Sequence, residues 1–275
     1  MPPPEHWIQP YRTVPFQSRP GDNARDHGQQ RGRSPLGPYG DFVIQIDETV
    51  GAVLDALDRG GFAEDTLVIF TTDNGGAHYI GAAQMEEMGH YTSYVYRGYK
   101  MDAFEGGHRI PFIVRWPGKV KAGTRSDETI CLTDLLATCA SIVGAELPND
   151  AGEDSFTLLP ALLGSHFEPP LREATVHHSG DGTFAIRKGK WKLELGPGSG
   201  GMSAPTNAVA RAQHLPLVQL YNLEQDIAET INVFEEHRDV VNDLTVLLDK
   251  YKTDGRTCDT RPPNALAGHP AITTS

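Results

Sequence analysis

Asp73 and Asn74 stand directly after the run Leu67-Val68-Ile69-Phe70-Thr71-Thr72 and directly before Gly75-Gly76. A carboxylate beside an amide offers hard oxygen atoms, the donor type that suits Ca²⁺ or Mg²⁺. The glycines let the backbone turn sharply and approach a ligand closely. Alone, Asp-Asn-Gly is also ordinary turn chemistry. The stretch that follows adds cations: His90, Arg97, Lys100, His108 and Arg109. Cations beside a bound anion hold its non-bridging oxygens and stabilise charge building on a leaving group. Lysine is a compact charge with three donors, suited to a tetrahedral oxyanion, and histidine can protonate a leaving oxygen near neutral pH. Other residues nearby read as structural. Glu105 caps or pairs, Arg109 pairs with it, and Gly106-Gly107 shapes a turn. His177 and His178 are adjacent at a strand end, so their side chains point to opposite faces and do not serve one metal.

The elements that must position these residues follow from periodicity. Residues 67–70 read as a central strand buried on both faces, with Asp73 and Asn74 at its carboxyl end, where open α/β sheets place ligands. Phe42, Val43, Ile46, Val50, Val53, Leu54 and Leu57 recur at helical spacing, and Gly60-Gly61 ends that helix. Residues 77–109 are too long for a plain connector, which marks them as functional. Pro111 to Trp116 reads as a second strand. A helix over 130–143 is expected to turn Leu132, Leu135, Leu136 and Ile142 inward, and a short helix covers 157–163. Beyond Pro169-Pro170 the segments 174–178, 183–187, 191–195 and 220–223 predict an antiparallel meander. Residues 196–207 read as a flexible loop, and 240–251 as a closing helix with Leu244, Leu247 and Leu248 on one face. The pattern divides the chain into an irregular segment (1–38), an α/β unit (39–168), an α+β unit (169–254) and a disordered tail (255–275).

Composition bounds the partners. A net charge of −12 over 275 residues argues against nucleic acid or an anionic membrane surface. No apolar stretch reaches membrane-spanning length. Met1-Pro2-Pro3-Pro4-Glu5-His6 lacks the basic and apolar regions of a signal peptide. The three cysteines, Cys131, Cys139 and Cys258, show neither disulfide pairing nor zinc-site spacing. Cys131 and Cys139 are expected on one helix face as small buried apolar residues.

Asp73-Asn74-Gly75, Gly89-His90, Arg97-Gly98-x-Lys100 and Glu105-Gly106-Gly107-His108-Arg109-x-Pro111-Phe112 together resemble the type I sulfatases of the arylsulfatase group. The likeness extends to Tyr39-Gly40-Asp41-Phe42, to Trp116-Pro117-Gly118 and to the segment from Leu220-Tyr221-Asn222-Leu223 to Glu229 and Asn232, with Ile227 where that family has proline. It spans residues 32–256, the C-terminal portion of such an enzyme. The resemblance implies an alkaline-phosphatase-like α/β fold with a small α+β C-terminal domain, and hydrolysis of sulfate esters at a Ca²⁺ site. Asp73 and Asn74 match two of its metal ligands, and Lys100 matches the lysine that contacts the sulfate group. His90 lies in the same motif neighbourhood as a substrate-side candidate. The implied substrate is a sulfate-ester small molecule or sulfated carbohydrate, and full-length relatives are commonly exported.

The family's formylglycine nucleophile arises in a Cys/Ser-x-Pro-x-Arg motif that these residues lack; Ser18-Arg19-Pro20-Gly21-Asp22 ends in Asp. The aspartate pair that supplies the other metal ligands is also absent, as is the His-x-Pro histidine. The expectation is therefore a chain inactive by itself, whose strand at 67–70 waits for neighbours from a missing N-terminal half. Two other readings stand beside it: a phosphatase or phosphodiesterase of the same superfamily, and a non-catalytic remnant that binds anions or a partner chain.

Overall fold

The computed structural model describes residues 36–165 and 169–258. Most of the segment expected to be irregular, residues 1–35, lies outside that range. Helix α1 (Gly37–Gly60) begins just before the expected start, with proline in its first turn, and ends at Gly61, whose φ of 72° is the left-handed cap glycine accepts most readily. Its apolar residues share one face, yet Phe42, Val43, Ile46 and Val53 are 38–53% exposed. Val50, Leu54 and Leu57 are half-buried.

Strand β1 (Val68–Thr71) pairs antiparallel with β2 (Phe112–Arg115), in the register Val68↔Arg115 and Thr71↔Phe112. Arg115 of β2 reaches Asp58 near the end of α1 at 3.3 Å. The expectation of a central strand buried on both faces is corrected here. Among the described residues β1 has one hydrogen-bonded neighbour, and all four of its residues are half-buried. An apolar run shows what a strand is able to bury; the cover must come from elsewhere in space.

Short helices α2 (Ala82–Glu87) and α3 (Glu105–His108) lie in the long connection between β1 and β2. Helix α4 (Asp134–Val143) starts later than expected and turns a different face inward: Asp134, Ala137, Thr138 and Ala140 are buried, while Leu132 and Leu136 are exposed. The reason is a polar anchor. The Asp134 carboxylate accepts from the Cys131 and Phe156 amides and pairs with buried Arg172. The cysteine expectation fails with it, since Cys131 precedes the helix and Cys139 is exposed. Helix α5 (Leu159–Leu162) follows.

The meander is present as a four-stranded antiparallel sheet of β3 (Thr175–His178), β4 (Phe184–Lys188), β5 (Trp191–Glu194) and β6 (Gln219–Asn222), in that order. Its pleat sorts residues onto two faces. Val176, Ile186, Leu193 and Leu220 are in register on one face. There they pack against Leu244, Leu248 and Tyr251 of helix α7 (Arg238–Asp254). The other face carries His177, Arg187, Lys192, Glu194, Gln219 and Tyr221, and it lies against the connection that holds α3.

Residues 196–207, expected to be flexible, are packed: Gly196 and Gly198 accept from the buried Gln219 amide, and Gly198 donates to Asn207 at the start of α6 (Asn207–Ala212). The expected disordered tail is also docked through residue 258, where Thr257 and Cys258 donate to the Glu153 carbonyl. Residues beyond 258 lie outside the described range. No described helix is long and apolar enough to cross a membrane.

The closing helix supplies a test within one element. Leu248→Ala, at a position with no exposure, is expected to cost about 2–5 kcal/mol by urea denaturation. Val246→Ala, at a position 61% exposed, is expected to change stability by no more than about 0.5 kcal/mol.

Candidate functional site

Three segments that are separate in sequence meet through their backbones. The Gly75 amide donates to the Gly107 carbonyl at 3.0 Å, the Lys100 amide to the Gly76 carbonyl at 2.7 Å, and the Gly106 amide to the Arg97 carbonyl at 2.7 Å. A Cβ on Gly75 would lie 1.8 Å from the Gly106 oxygen, and one on Gly106 would lie 2.2 Å from the Gly98 oxygen. Only glycine permits that approach. The structure thus brings the Asp73-Asn74 turn, the Arg97–Lys100 loop and α3 into one body.

Asp73 is exposed at the end of β1, and its Oδ1 accepts from the Asn74 amide at 3.0 Å. The Asn74 side-chain nitrogen donates to the Gly75 carbonyl at 2.9 Å, which leaves the amide oxygen as the atom able to ligate. These are two hard-oxygen donors of the type Ca²⁺ takes, against the ~6–8 it needs. Among the described residues no cluster of three or more His, Cys, Asp or Glu could hold a metal. The donors fit such an ion in kind and fall short in number.

The cations separate into two groups. Arg97 lies over the Phe104 ring at 3.9 Å and donates to the Glu229 carbonyl and the Tyr221 hydroxyl. Arg109 stacks over Tyr96 and pairs with Glu105 at 3.1 Å. His108 accepts from the Lys192 ammonium at 3.3 Å, and its ring centroid is 3.7 Å from that of His177. Burial, then His177 and Lys192, hold the His108 pKa well below the usual histidine range, so the ring is neutral. These three side chains are committed to the scaffold. Lys100 is half-buried, and among the described residues its ammonium has no hydrogen-bond or carboxylate partner. His90 is half-buried against Tyr39 of α1, with ring centroids 5.7 Å apart, and burial lowers its pKa.

Beneath α3 lies an ionic cluster that the sequence reading missed. Lys192 is fully buried, with its ammonium 2.7 Å from Glu229, 3.2 Å from Glu105 and 3.4 Å from Glu194. Burial disfavours its charged form, but the attraction of Glu229, Glu194 and Glu105 outweighs this and raises its pKa. Burial also pushes the Glu105 carboxyl up, yet Lys192, Arg187 and Arg109 outweigh it and hold Glu105 below the usual carboxylate range. Glu194 goes the other way: burial raises it to about 8 against the pull of Lys192. Glu229, at a left-handed φ of 52°, accepts from the Glu105 amide at 2.7 Å while its carbonyl holds Arg97. The structural readings of Glu105 and Arg109 hold, and His177 and His178 do point apart. His177 is half-buried and bonded to the Ala103 carbonyl, with its pKa lowered to about 3 chiefly by loss of solvation, and His178 is exposed.

The signal for this cluster was the alternation Trp191-Lys192-Leu193-Glu194, which reads as apolar-in and polar-out. Alternation identifies the two faces and cannot show that both are covered. The spacing Ser203-Ala204-Pro205 matches the start of the nucleophile motif, but Thr206-Asn207 follows it, and the Ser203 hydroxyl is bonded to Asp102.

Comparison with known proteins bears on the same residues. The family described as Sulfatase matches residues 5–145. The chain is 36% identical over 230 residues to an N-acetylgalactosamine-6-O-sulfatase of Bacteroides thetaiotaomicron, covering 82% of this chain and 44% of that protein. It is 34% identical over 212 residues to human arylsulfatase A, covering 73% and 40%. A solved structure from work on glycosaminoglycan metabolism in Bacteroides thetaiotaomicron superposes with a TM-score of 0.71 at 35% identity, covering 82% of this chain and 47% of the other. The phosphonate monoester hydrolase of Agrobacterium radiobacter shares the fold, with a TM-score of 0.54 at 21% identity, covering 80% and 41%. The chain spans less than half the length of these relatives.

The cluster yields two tests. Lys192→Met strands buried carboxylates and is expected to cost about 3–5 kcal/mol by chemical denaturation, whereas Arg238→Ala, which breaks an exposed pair with Glu235, should cost less than about 1 kcal/mol. Glu194 keeps its proton in the folded state up to about pH 8, but in the unfolded chain it loses it near 4.5. The folded state therefore holds the extra proton between those values, and stability contributed by Glu194 falls as pH rises through that window. Melting curves from pH 5 to 8.5 should fall less steeply for Glu194→Gln than for the native chain; parallel curves would overturn the assignment.

Proposed function

The chain belongs to the sulfatase family, with its alkaline-phosphatase-like α/β fold followed by a small α+β unit, and on that premise we propose that these residues form the sulfate-recognition side of a sulfuric ester hydrolase. One observation carries the reading. Lys100 is the cation of its motif that the scaffold does not consume, and its amide is bonded to the turn that carries Asp73 and Asn74. Its ammonium supplies three donors to the oxygens of a sulfate group and stabilises negative charge there. Asp73 and Asn74 supply two oxygen ligands to a Ca²⁺ ion, which when bound would polarise the same group. His90, neutral and half-buried, stands as a candidate on the substrate side.

The relative from Bacteroides thetaiotaomicron named as an N-acetylgalactosamine-6-O-sulfatase supports a sulfated carbohydrate as substrate. Turnover needs a nucleophile, and these 275 residues contain no Cys/Ser-x-Pro-x-Arg sequence. On this reading these 275 residues by themselves bind sulfate without hydrolysing its esters, and the nucleophile and the remaining ligands would come from residues outside them.

Both halves of this reading are measurable on the purified chain. Inorganic sulfate is expected to raise the melting temperature of the native protein, and Lys100→Ala to abolish that response. Aryl sulfate hydrolysis with Ca²⁺ is expected to stay at background; turnover near the ~1 s⁻¹ of working enzymes would end the claim of inactivity. A sulfate response unchanged in Lys100→Ala would end the claim of recognition.

A further inference from the structure

Lys100 sits between two clamps. On one side its amide is bonded to the Gly76 carbonyl at 2.7 Å. On the other side Met101 has a φ of 79°, a left-handed conformation that is costly for a residue with a side chain. Local preference does not produce that angle, so the surroundings must impose it.

They do so from the C-terminal unit. The Met101 carbonyl accepts from the Gly180 amide at 2.8 Å, and the Ala103 amide donates to the Ser199 carbonyl at 2.8 Å. Between them Asp102 is almost wholly buried, at 3% exposure. Its Oδ1 accepts from the Met202 amide at 2.9 Å and the Ser203 amide at 3.1 Å. Its Oδ2 accepts from the Tyr99 amide at 2.8 Å and from the Ser203 hydroxyl. One carboxylate therefore ties both flanks of Lys100 to the loop at 199–203. The loop comes close because residue 201 is glycine: a Cβ there would lie 2.4 Å from the Asp102 Oδ1 and 2.5 Å from the Met101 oxygen.

We propose that Asp102 is a positioning residue for Lys100, acting through the strained Met101 peptide and the 199–203 loop, so that the C-terminal unit sets where the sulfate-binding ammonium stands. The inference rests on the reading that Lys100 meets the sulfate group. Met101 is 44% exposed, so its conformation is not explained by burying its own side chain. Released from Asp102, Met101 relaxes to negative φ and the Lys100 backbone turns with it.

The test uses the whole chain and three variants: Asp102→Asn, Ser203→Ala and Met101→Gly. Amide hydrogen exchange is followed over residues 97–104. Acetylation of Lys100 by an N-hydroxysuccinimide ester is followed by peptide mass spectrometry, with and without inorganic sulfate, and exposed Lys250 serves as the internal control. In the native chain sulfate should slow labelling of Lys100 and leave Lys250 unchanged. Asp102→Asn is expected to speed exchange over 97–104 by about tenfold, the loss of one charge-assisted bond, and to abolish protection by sulfate, while exchange in α7 is unchanged. Met101→Gly removes the strain, so its melting temperature should equal or exceed the native value. Its protection by sulfate should nevertheless fall, an outcome that a role in folding alone does not produce.

Native exchange and native protection in both Asp102→Asn and Met101→Gly would overturn the proposal. Should Asp102→Asn not fold, Met101→Gly and Ser203→Ala decide it by the same readouts. If sulfate does not protect Lys100 in the native chain, the reading of Lys100 falls, and the exchange rates over 97–104 decide the clamp by themselves.

Discussion

A lysine ammonium sealed from water imposes the strongest constraint on this structure. Lys192 has no exposure, and a lone charge in that position would be costly enough to lose its proton or force the sheet apart. It keeps its charge because Glu229, Glu105 and Glu194 surround it, and each comes from a different part of the chain. Glu105 opens the short helix of the motif region, Glu194 lies on the same strand as Lys192, and Glu229 lies beyond the last strand. Removing any one segment leaves a buried charge with too little compensation, so the cluster couples their folding.

The cluster also explains why the motif glycines cannot be replaced. Glu105 is fixed from below by Lys192, Arg187 and Arg109, and from its amide side by Glu229. The two residues that follow it must then pass between the Asp73–Gly76 turn and the Arg97–Gly98 peptides. Electrostatics sets the height of the helix, and sterics sets what fits on either side of it. The same clamping consumes Arg97, Arg109 and His108 as scaffold, and Lys100 stays available. The anion site proposed here needs a cation with unused donors, and tying down the side chains around Lys100 would leave it as that cation.

Much of this was legible along the chain. The helical period of residues 39–57, the apolar run before Asp73 and the four short segments after 170 each identify an element, because local periodicity survives folding. The motif set also identified the family. Three expectations failed for one shared reason. The face of the 134–143 helix, the packed 196–207 loop and the half-covered β1 all depend on what lies opposite. The helix follows a buried aspartate and its arginine, the loop is drawn in by Gln219 and Asp102, and β1 has one paired edge among the described residues. Periodicity carries no information about such partners.

By itself the sequence determined the kinds of element, their order and the family, and it put forward Asp73, Asn74 and Lys100 as the residues proposed for binding chemistry. These follow from side-chain type and short-range spacing. Only the tertiary structure decided which cations are spent and which remains, that Lys192 and Glu194 face inward, and that a loop a hundred residues downstream grips the flanks of Lys100. A carboxylate's partners are chosen by distance in space, and charges sealed from water must be balanced by whatever segment the fold brings within reach.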